Sequence, residues 1–414
     1  MFAEKDWLMA PEPFVLSKRQ GKELERLGHR LRLFQEASDL IYRRSAEGKV
    51  EPWVAELLDA GKPGWMLEHV RSKRGRTALP AVIRPDLIVT EGGFSITELD
   101  SVPGGIGLTS WLNATYSAAG WDVLGGAGGM VDGFGSLFPD GADIVVSEEA
   151  GDYRPEMEWL APQLAGDWGL ARAKEYRPRA GRDVYRFFEL FDHANVPVVR
   201  ELMGMVEAGE LRMSPPVKPH LEEKLWAGLF WSRVLRGEWG ERMRGNQLAK
   251  LREMVPFSWV VDPAPVPRHA VLPRLELGGF AELAGLSQRE RELVLKVSGF
   301  SEQAWGSRGV TVGHDVSAEE WGAAVDGALA AWPEQPYVLQ EFAHSALVEQ
   351  PYWNPDTGER EVMDGRVRLC PYYFVGAADG KVRLGGVLAT VVPADKKVIH
   401  GMRDAVLVPC VVGE

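Results

Sequence analysis

A chain of 414 residues with 45% apolar composition is long enough to bury one large core or two to three smaller ones, as an ordinary globular protein does. Its formal net charge of −12 argues against a surface built to neutralise nucleic-acid phosphates or anionic lipid, so any anion site has to be made locally. No stretch approaches the roughly 18 uninterrupted apolar residues of a membrane span, and two cysteines, Cys370 and Cys410, offer neither a disulfide framework nor a metal spacing.

The start, MFAEKDWLMAPEPF, has no basic segment followed by an apolar one, so a reducing cytoplasm is the expected address, with a single disulfide left open. From about Leu16 to Glu47 the chain places Leu24, Leu27, Leu31, Leu33, Phe34 and Leu40 at mixed three and four spacings, which is helical. A second helical stretch, VEPWVAELLDAG, stops at Gly61, and the first 80 residues are expected to be helical. The period then changes: RPDLIVT, a turn at EGG, and FSITELD predict a β-hairpin. After the glycine-rich LGGAGGMVDGFG come a strand in ADIVVSEE, a helix in PEMEWLAPQLAG and a strand in GLARAKEY, the order of a small parallel α/β unit. The stretch from DVYRFF to WSRVL reads as mostly helical, broken at Pro215-Pro216. From about Arg291 strands return in ELVLKVS, PYVLQEFA, RVRLCPYYFVG and VRLGGVLATVVP, with a helix at SAEEWGAAVDGALAAW whose Ser317 and Glu320 fit a capping box. No internal repeat, low-complexity tract or long linker is visible.

Three places carry potential chemistry. Glu98 and Asp100 are two apart on a strand and so face the same side, where two carboxylates repel unless a cation joins them. Magnesium is often held by one or two carboxylates with phosphates and waters completing its shell, although a solvent-facing strand end gives the same pattern. Lys296 ends an apolar strand, where it is placed to reach a phosphate, and the following loop carries Gly299, Gly306, Ser307, Arg308 and Gly309, whose small bulk lets backbone amides approach an anion; a strand followed by an ordinary surface loop fits as well. In PYVLQEFA the Gln340-Glu341 step interrupts a buried run, as where backbone groups bracket a purine or where a strand merely surfaces. There is no P-loop, no G-x-G-x-x-G after a strand, no G-x-S-x-G and no H-E-x-x-H.

In this order the segments resemble the circularly permuted ATP-grasp proteins, the group that includes eukaryotic-type glutathione synthetase and glutathionylspermidine synthetase. RPDLIVTEGGFSITELDS has the arginine, hairpin and Glu-x-Asp pair of that group's metal strand. The resemblance implies an α+β ATP-grasp fold with a helical N-terminal region (1–80), a hairpin with metal-binding carboxylates (81–145), a small α/β subdomain (146–215) and a nucleotide-binding region with a glycine-rich lid (216–414). It implies magnesium on Glu98 and Asp100 with Glu302 as a third ligand, and Arg84 on the substrate carboxylate or a phosphate. It further implies ATP on Lys224, from PPVKPHLEEKLWAGLF, on Lys296 with the loop residues Gly306, Ser307 and Gly309, and on the hinge Gln340, Glu341 and Phe342. Asp100 stands where the group tends to use asparagine, and the group's triple glycine is absent.

The reaction so implied is ATP-dependent joining of a small-molecule or peptide carboxylate to an amine, or a thiol, through an acyl phosphate, with no nucleic-acid or membrane partner. Phosphoryl transfer of that kind needs positioning and charge neutralisation, which accounts for the lack of a catalytic triad. Arg366 and Arg368 share one face of a strand, where Arg368 is placed to meet a phosphate or else to form a surface salt bridge, and Lys396, Lys397, His400 and Arg403 near the C-terminus are candidates for contact with the acyl acceptor or else a solvated basic loop. A catalytically silent nucleotide- or peptide-binding member of the same fold is the alternative. A dinucleotide-binding enzyme built on 142–178 is the other, and the missing fingerprint speaks against it.

Overall fold

A computed structural model describes residues 7–100, 102–304, 308–396, 399 and 404–413. The chain is α+β and divides into two units, one made of residues 1–32, 77–216 and 344–414, the other of 33–76 and 217–343. Among the described residues no helix is long and apolar enough to cross a membrane.

The first unit is built on a seven-stranded sheet. Its strand order is Phe14–Leu16, Val406–Val412, Val382–Pro393, Arg360–Val375, Val82–Thr90 and Gly93–Asp100, with Val348–Trp353 also pairing Arg360–Val375. The Phe14–Leu16 pairing is parallel and the others are antiparallel. The expected hairpin is present, and VRLCPYYFV and GGVLATVV are the buried centre of the sheet, as their apolar runs require. One face buries Val82, Tyr372, Phe374 and Leu388 with residues of the helices Ile106–Ala118 and Gly129–Gly135. The same core takes Ile144, Val146, Tyr185 and Phe187 from a second, four-stranded parallel sheet ordered Gly169–Arg172, Asp143–Val146, Val184–Phe187, Met213–Ser214. The helix Arg154–Leu160, with Pro155 in its first turn, crosses over that sheet's first two strands in sequence and adds Met157 and Leu160 to the core.

The second unit carries a four-stranded antiparallel sheet ordered Val310–Val312, Leu293–Val297, Tyr337–Glu341, Ser258–Val261. Helix Ala318–Ala330 buries Trp321, Val325 and Ala328 in one core with Trp259, Leu295 and Leu339. Its capping box forms as expected: Ser317 Oγ accepts from Glu320 N at 3.1 Å and Glu320 Oε2 accepts from Ser317 N at 2.9 Å. The latter part of helix Lys18–Ala46 and the helix Pro52–Asp59 belong to this unit, where Phe34 stacks on Trp239 with ring centroids 5.2 Å apart.

Several strands, Val348–Trp353 and Val406–Val412 among them, depart from the sequence-based expectation, and three short ones share a physical reason. Phe14–Leu16 lies in the stretch expected to be helical, Val184–Phe187 in the one expected to be mostly helical, and Ser258–Val261 was given no element. Each is three or four residues long and exists because of a distant partner: Phe14 pairs Cys410, Val184 pairs Asp143, and Ser258 pairs Gln340.

Candidate functional site

In the first unit the hairpin register sets Arg84 opposite Asp100 and Asp86 opposite Glu98. Between Asp86 and Leu87 the register shifts by one residue: Thr97 is the extra residue of a bulge, and its hydroxyl donates to the Asp86 carbonyl at 3.2 Å. All four charged side chains therefore share one face. Asp86 and Glu98 directly opposite each other would repel, and the neighbouring guanidiniums compensate. Arg84 Nη2 lies 3.1 Å from Asp86 Oδ1 and 2.9 Å from Asp100 Oδ2, while Arg368 Nη1, from the next strand, donates to Asp86 Oδ2 at 3.0 Å. Two residues further along that strand, Cys370 Sγ approaches Asp86 Oδ1 at 3.5 Å.

Two guanidiniums and three carboxylates thus share this face. Burial alone would lower the Arg84 guanidinium, but Asp86 and Asp100 hold it well above its ordinary value. Burial raises the Asp100 carboxyl above the usual carboxylate range; Arg84 opposes this and Glu98 adds to it. The Cys370 thiol is pushed up to about 12 by burial and by Asp86, which makes it inert at neutral pH. The Nε atoms of Arg84 and Arg368 are buried without a hydrogen-bond partner among the described residues.

The VPGG turn closes this face. Asp100 Oδ1 accepts from Val102 N at 2.8 Å, and the Gly104 carbonyl accepts from Tyr372 OH at 2.7 Å and Arg84 Nη1 at 3.4 Å. A Cβ on Gly104 would sit 2.1 Å from the Tyr153 ring, so any other residue there would have to displace that ring. Helix Ile106–Ala118 begins directly after it, with Leu108 N donating to Glu156 Oε2 at 3.2 Å.

Asp86 is the residue that sequence reasoning missed, although the alternation that joined Glu98 to Asp100 also joins Arg84 to Asp86. Arg366 leaves this constellation: it donates to the carbonyls of Ala394, at 2.8 Å, and Ser345, at 3.0 Å. Lys396 follows the strand Val382–Pro393, and Lys397, His400 and Arg403 lie outside the described residues. Among the described residues no group of three or more His, Cys, Asp or Glu side chains is arranged to hold a metal by itself.

In the second unit Lys296 is buried near the end of its strand, where Nζ donates to Gln340 Oε1 at 2.8 Å; Gln340 Nε2 in turn donates to Ser258 Oγ at 3.1 Å. Glu341 alternates to the other side and takes a two-pronged contact from Arg274 Nη1, at 2.7 Å to each oxygen. The Phe342 ring stands edge-on to His314, centroids 4.6 Å apart. Lys224 Nζ donates to the Ala304 carbonyl at 3.0 Å, tying it to the turn that holds the exposed Glu302. Gly309 closes the same loop, accepting from Val297 N at 3.0 Å and donating to Gln303 O at 2.7 Å; Gly306 and Ser307 lie outside the described residues.

The root of that loop is fixed by a carboxylate the sequence did not single out. Glu223, buried, accepts from Gly299 N at 2.9 Å and is bonded to Ser298 Oγ and to Lys62 Nζ. The other lysine of PPVKPHLEEK, Lys218, is wholly buried on Asp39 Oδ1 at 2.6 Å, and His220 Nε2 reaches the same oxygen at 3.1 Å. Burial pushes His220 down to about 4, so it donates to Asp39 as a neutral ring. This cluster anchors helix Lys18–Ala46 and has no access to solvent.

No family model and no curated protein matches the sequence. Among solved structures the chain is similar to a glutathione synthetase-like effector (GSS30) from Globodera pallida in its apo form. That likeness has a TM-score of 0.51 and 11% identity, covering 98% of this chain and 90% of that one. A protein assigned by name as a gamma-glutamylcysteine synthetase from Methylobacillus flagellatus KT aligns at a TM-score of 0.41 and 11% identity, over 94% of this chain and 87% of that one. The first of these likenesses shows a shared fold: this chain folds as the glutathione synthetase-like effector does.

Proposed function

We propose that this protein is an ATP- and magnesium-dependent ligase of the circularly permuted ATP-grasp kind, joining a carboxylate to an amine or thiol through an acyl phosphate. The observation that carries the reading is the charged face of the hairpin, three carboxylates against two guanidiniums, on a fold shared with a protein described as glutathione synthetase-like.

The residues of that face fit magnesium: Glu98 and Asp100 are half-buried hard oxygen donors that share one side of the strand. Glu98 and Asp100 would hold the ion, with phosphates and waters completing its shell. A bound magnesium ion would supply charge neutralisation to the phosphates of ATP. Arg84 and Arg368 would orient the acid to be activated, since their forked donors suit a carboxylate. On the second unit, Lys296 and Lys224 would neutralise charge on the phosphates, and the backbone at Gln340, Glu341 and Phe342 would bracket the adenine. The loop 299–309, with Gly306, Ser307 and Gly309, would exclude water from an acyl phosphate that hydrolysis destroys.

A second reading, a silent nucleotide- or peptide-binding protein, is favoured by one observation: Asp100 Oδ2 is already taken by Arg84 at 2.9 Å. ADP release separates the two. With magnesium and ATP, the ligase reading predicts ADP formation only when an acid and an amine are supplied together, from a panel of amino acids, small peptides and polyamines. No ADP above background with any pair would leave the silent reading.

A further inference from the structure

The second unit has an open cleft of about 1600 Å³ that involves neither Lys296 nor Gln340. One wall is a ladder of flat groups. The Arg252 guanidinium lies 5.7 Å from the Trp231 ring centroid, Trp231 and Phe257 are 4.8 Å apart, Phe257 and Trp259 another 4.8 Å, and Arg274 sits 4.7 Å over Phe257. Trp53 and Trp332 line the same cleft.

The two guanidiniums of this ladder differ in their partners. Arg274 is neutralised by both oxygens of Glu341. Among the described residues Arg252 has no carboxylate partner: its side chain donates to the Phe230 carbonyl at 3.5 Å, and its Nε is buried with no hydrogen-bond partner. Two further arginines, Arg233 and Arg236, line the cleft, Arg236 close enough to act on Arg252, and among the described residues neither pairs with a carboxylate. Burial and the neighbouring charge of Arg236 both push the Arg252 guanidinium below its ordinary value, as expected of a cation lacking a counter-charge. Glu56, Asp262, Glu276 and Glu334 line the cleft as well, but the arginines that lack a carboxylate partner leave a place on the aromatic wall for an anion that carries a flat body.

We infer that this cleft is a binding site for a small aromatic anion, its carboxylate or phosphate held by Arg252, Arg236 and Arg233 and its ring laid against Trp231 and Phe257. Arginine forks suit both anions, and ring stacking with the flanking guanidinium orients the body. The inference stands apart from the proposed ligase chemistry, since no residue of the proposed nucleotide or metal site lines the cleft.

Phenyl phosphate is a suitable probe, followed through quenching of tryptophan fluorescence, with benzoate as the carboxylate arm and inorganic phosphate as the ringless control. Saturable quenching by phenyl phosphate or benzoate is expected, and inorganic phosphate should bind at least tenfold more weakly. Arg236→Gln, on an exposed position that does not disturb packing, should weaken the ring-bearing probe by about tenfold, the worth of one charge-assisted contact. Lys296→Met should leave it unchanged. The inference is overturned by an absence of saturable quenching, by equal affinity in Arg236→Gln, by inorganic phosphate binding as tightly as phenyl phosphate, or by loss of binding in Lys296→Met.

Discussion

Arg84 reaches both Asp86 and Asp100, with little of its side chain exposed, and Arg368 covers only the outer oxygen of Asp86. Removing Arg84 leaves three carboxylates against one guanidinium in a poorly solvated place, the situation in which loss of one partner is most costly. Arg84→Met is therefore expected to lose roughly 3–5 kcal/mol of stability at neutral pH, measured by urea unfolding. The sign of its pH dependence follows from Asp100. The folded Asp100 carboxyl holds its proton more tightly than an unfolded one, so it favours the fold below its ordinary value and works against it as pH rises through the folded value. Without Arg84 that opposition grows, and the deficit of the variant should shrink as pH is lowered towards the carboxylate range. A loss under about 1 kcal/mol, or one that does not change with pH, would mean that Arg84 does not carry this face. The partnership of Glu98 and Asp100 was legible from alternation alone. Asp86 was not singled out because, two residues past Arg84 and just after a proline, it reads as an isolated acid until the bulge at Thr97 brings it opposite Glu98.

At the scale of elements, the hairpin, the strand of Lys296 and the capped helix Ala318–Ala330 were readable because each declares itself locally, by alternation, by an apolar run between turns, or by Ser317 with Glu320. The strands Phe14–Leu16 and Ser258–Val261 declare nothing locally; they are made by pairing with residues hundreds or tens of positions away. The loop after Lys296 lies between these cases. Its glycines were visible, but the clamp at its root, Glu223 with Lys62, Ser298 and Gly299, depends on tertiary placement. Gly299 tests that clamp. A Cβ there would lie 1.9 Å from the Glu222 carbonyl oxygen, so Gly299→Ala should cost about 1–3 kcal/mol through backbone displacement. Gly204, in helix Val199–Ala208, has nothing within 4 Å of its added Cβ, and Gly204→Ala should be neutral or stabilising by about 0.4–1 kcal/mol. Urea midpoints of the two variants check the contrast; equal shifts would show that the loop root yields without cost.

Across the whole molecule, a net charge of −12 provides no general attraction for a polyanion, so the proposed binding of ATP would have to rest on local lysines, arginines and a divalent cation. Lys296, bonded to Gln340, and the carboxylates around Arg84 are the groups that supply them in this account. A ligand that binds the folded state alone raises its stability, by about 2.7 kcal/mol at a hundred times its dissociation constant. The most direct measurement is thermal unfolding of the full chain with ATP and magnesium, with ATP and EDTA, and with NAD. A rise in melting temperature is expected with ATP and magnesium, disappearing with EDTA and in Glu98→Ala. An unchanged melting temperature with every nucleotide, or a rise with ATP that survives both EDTA and Glu98→Ala, would contradict the proposed function.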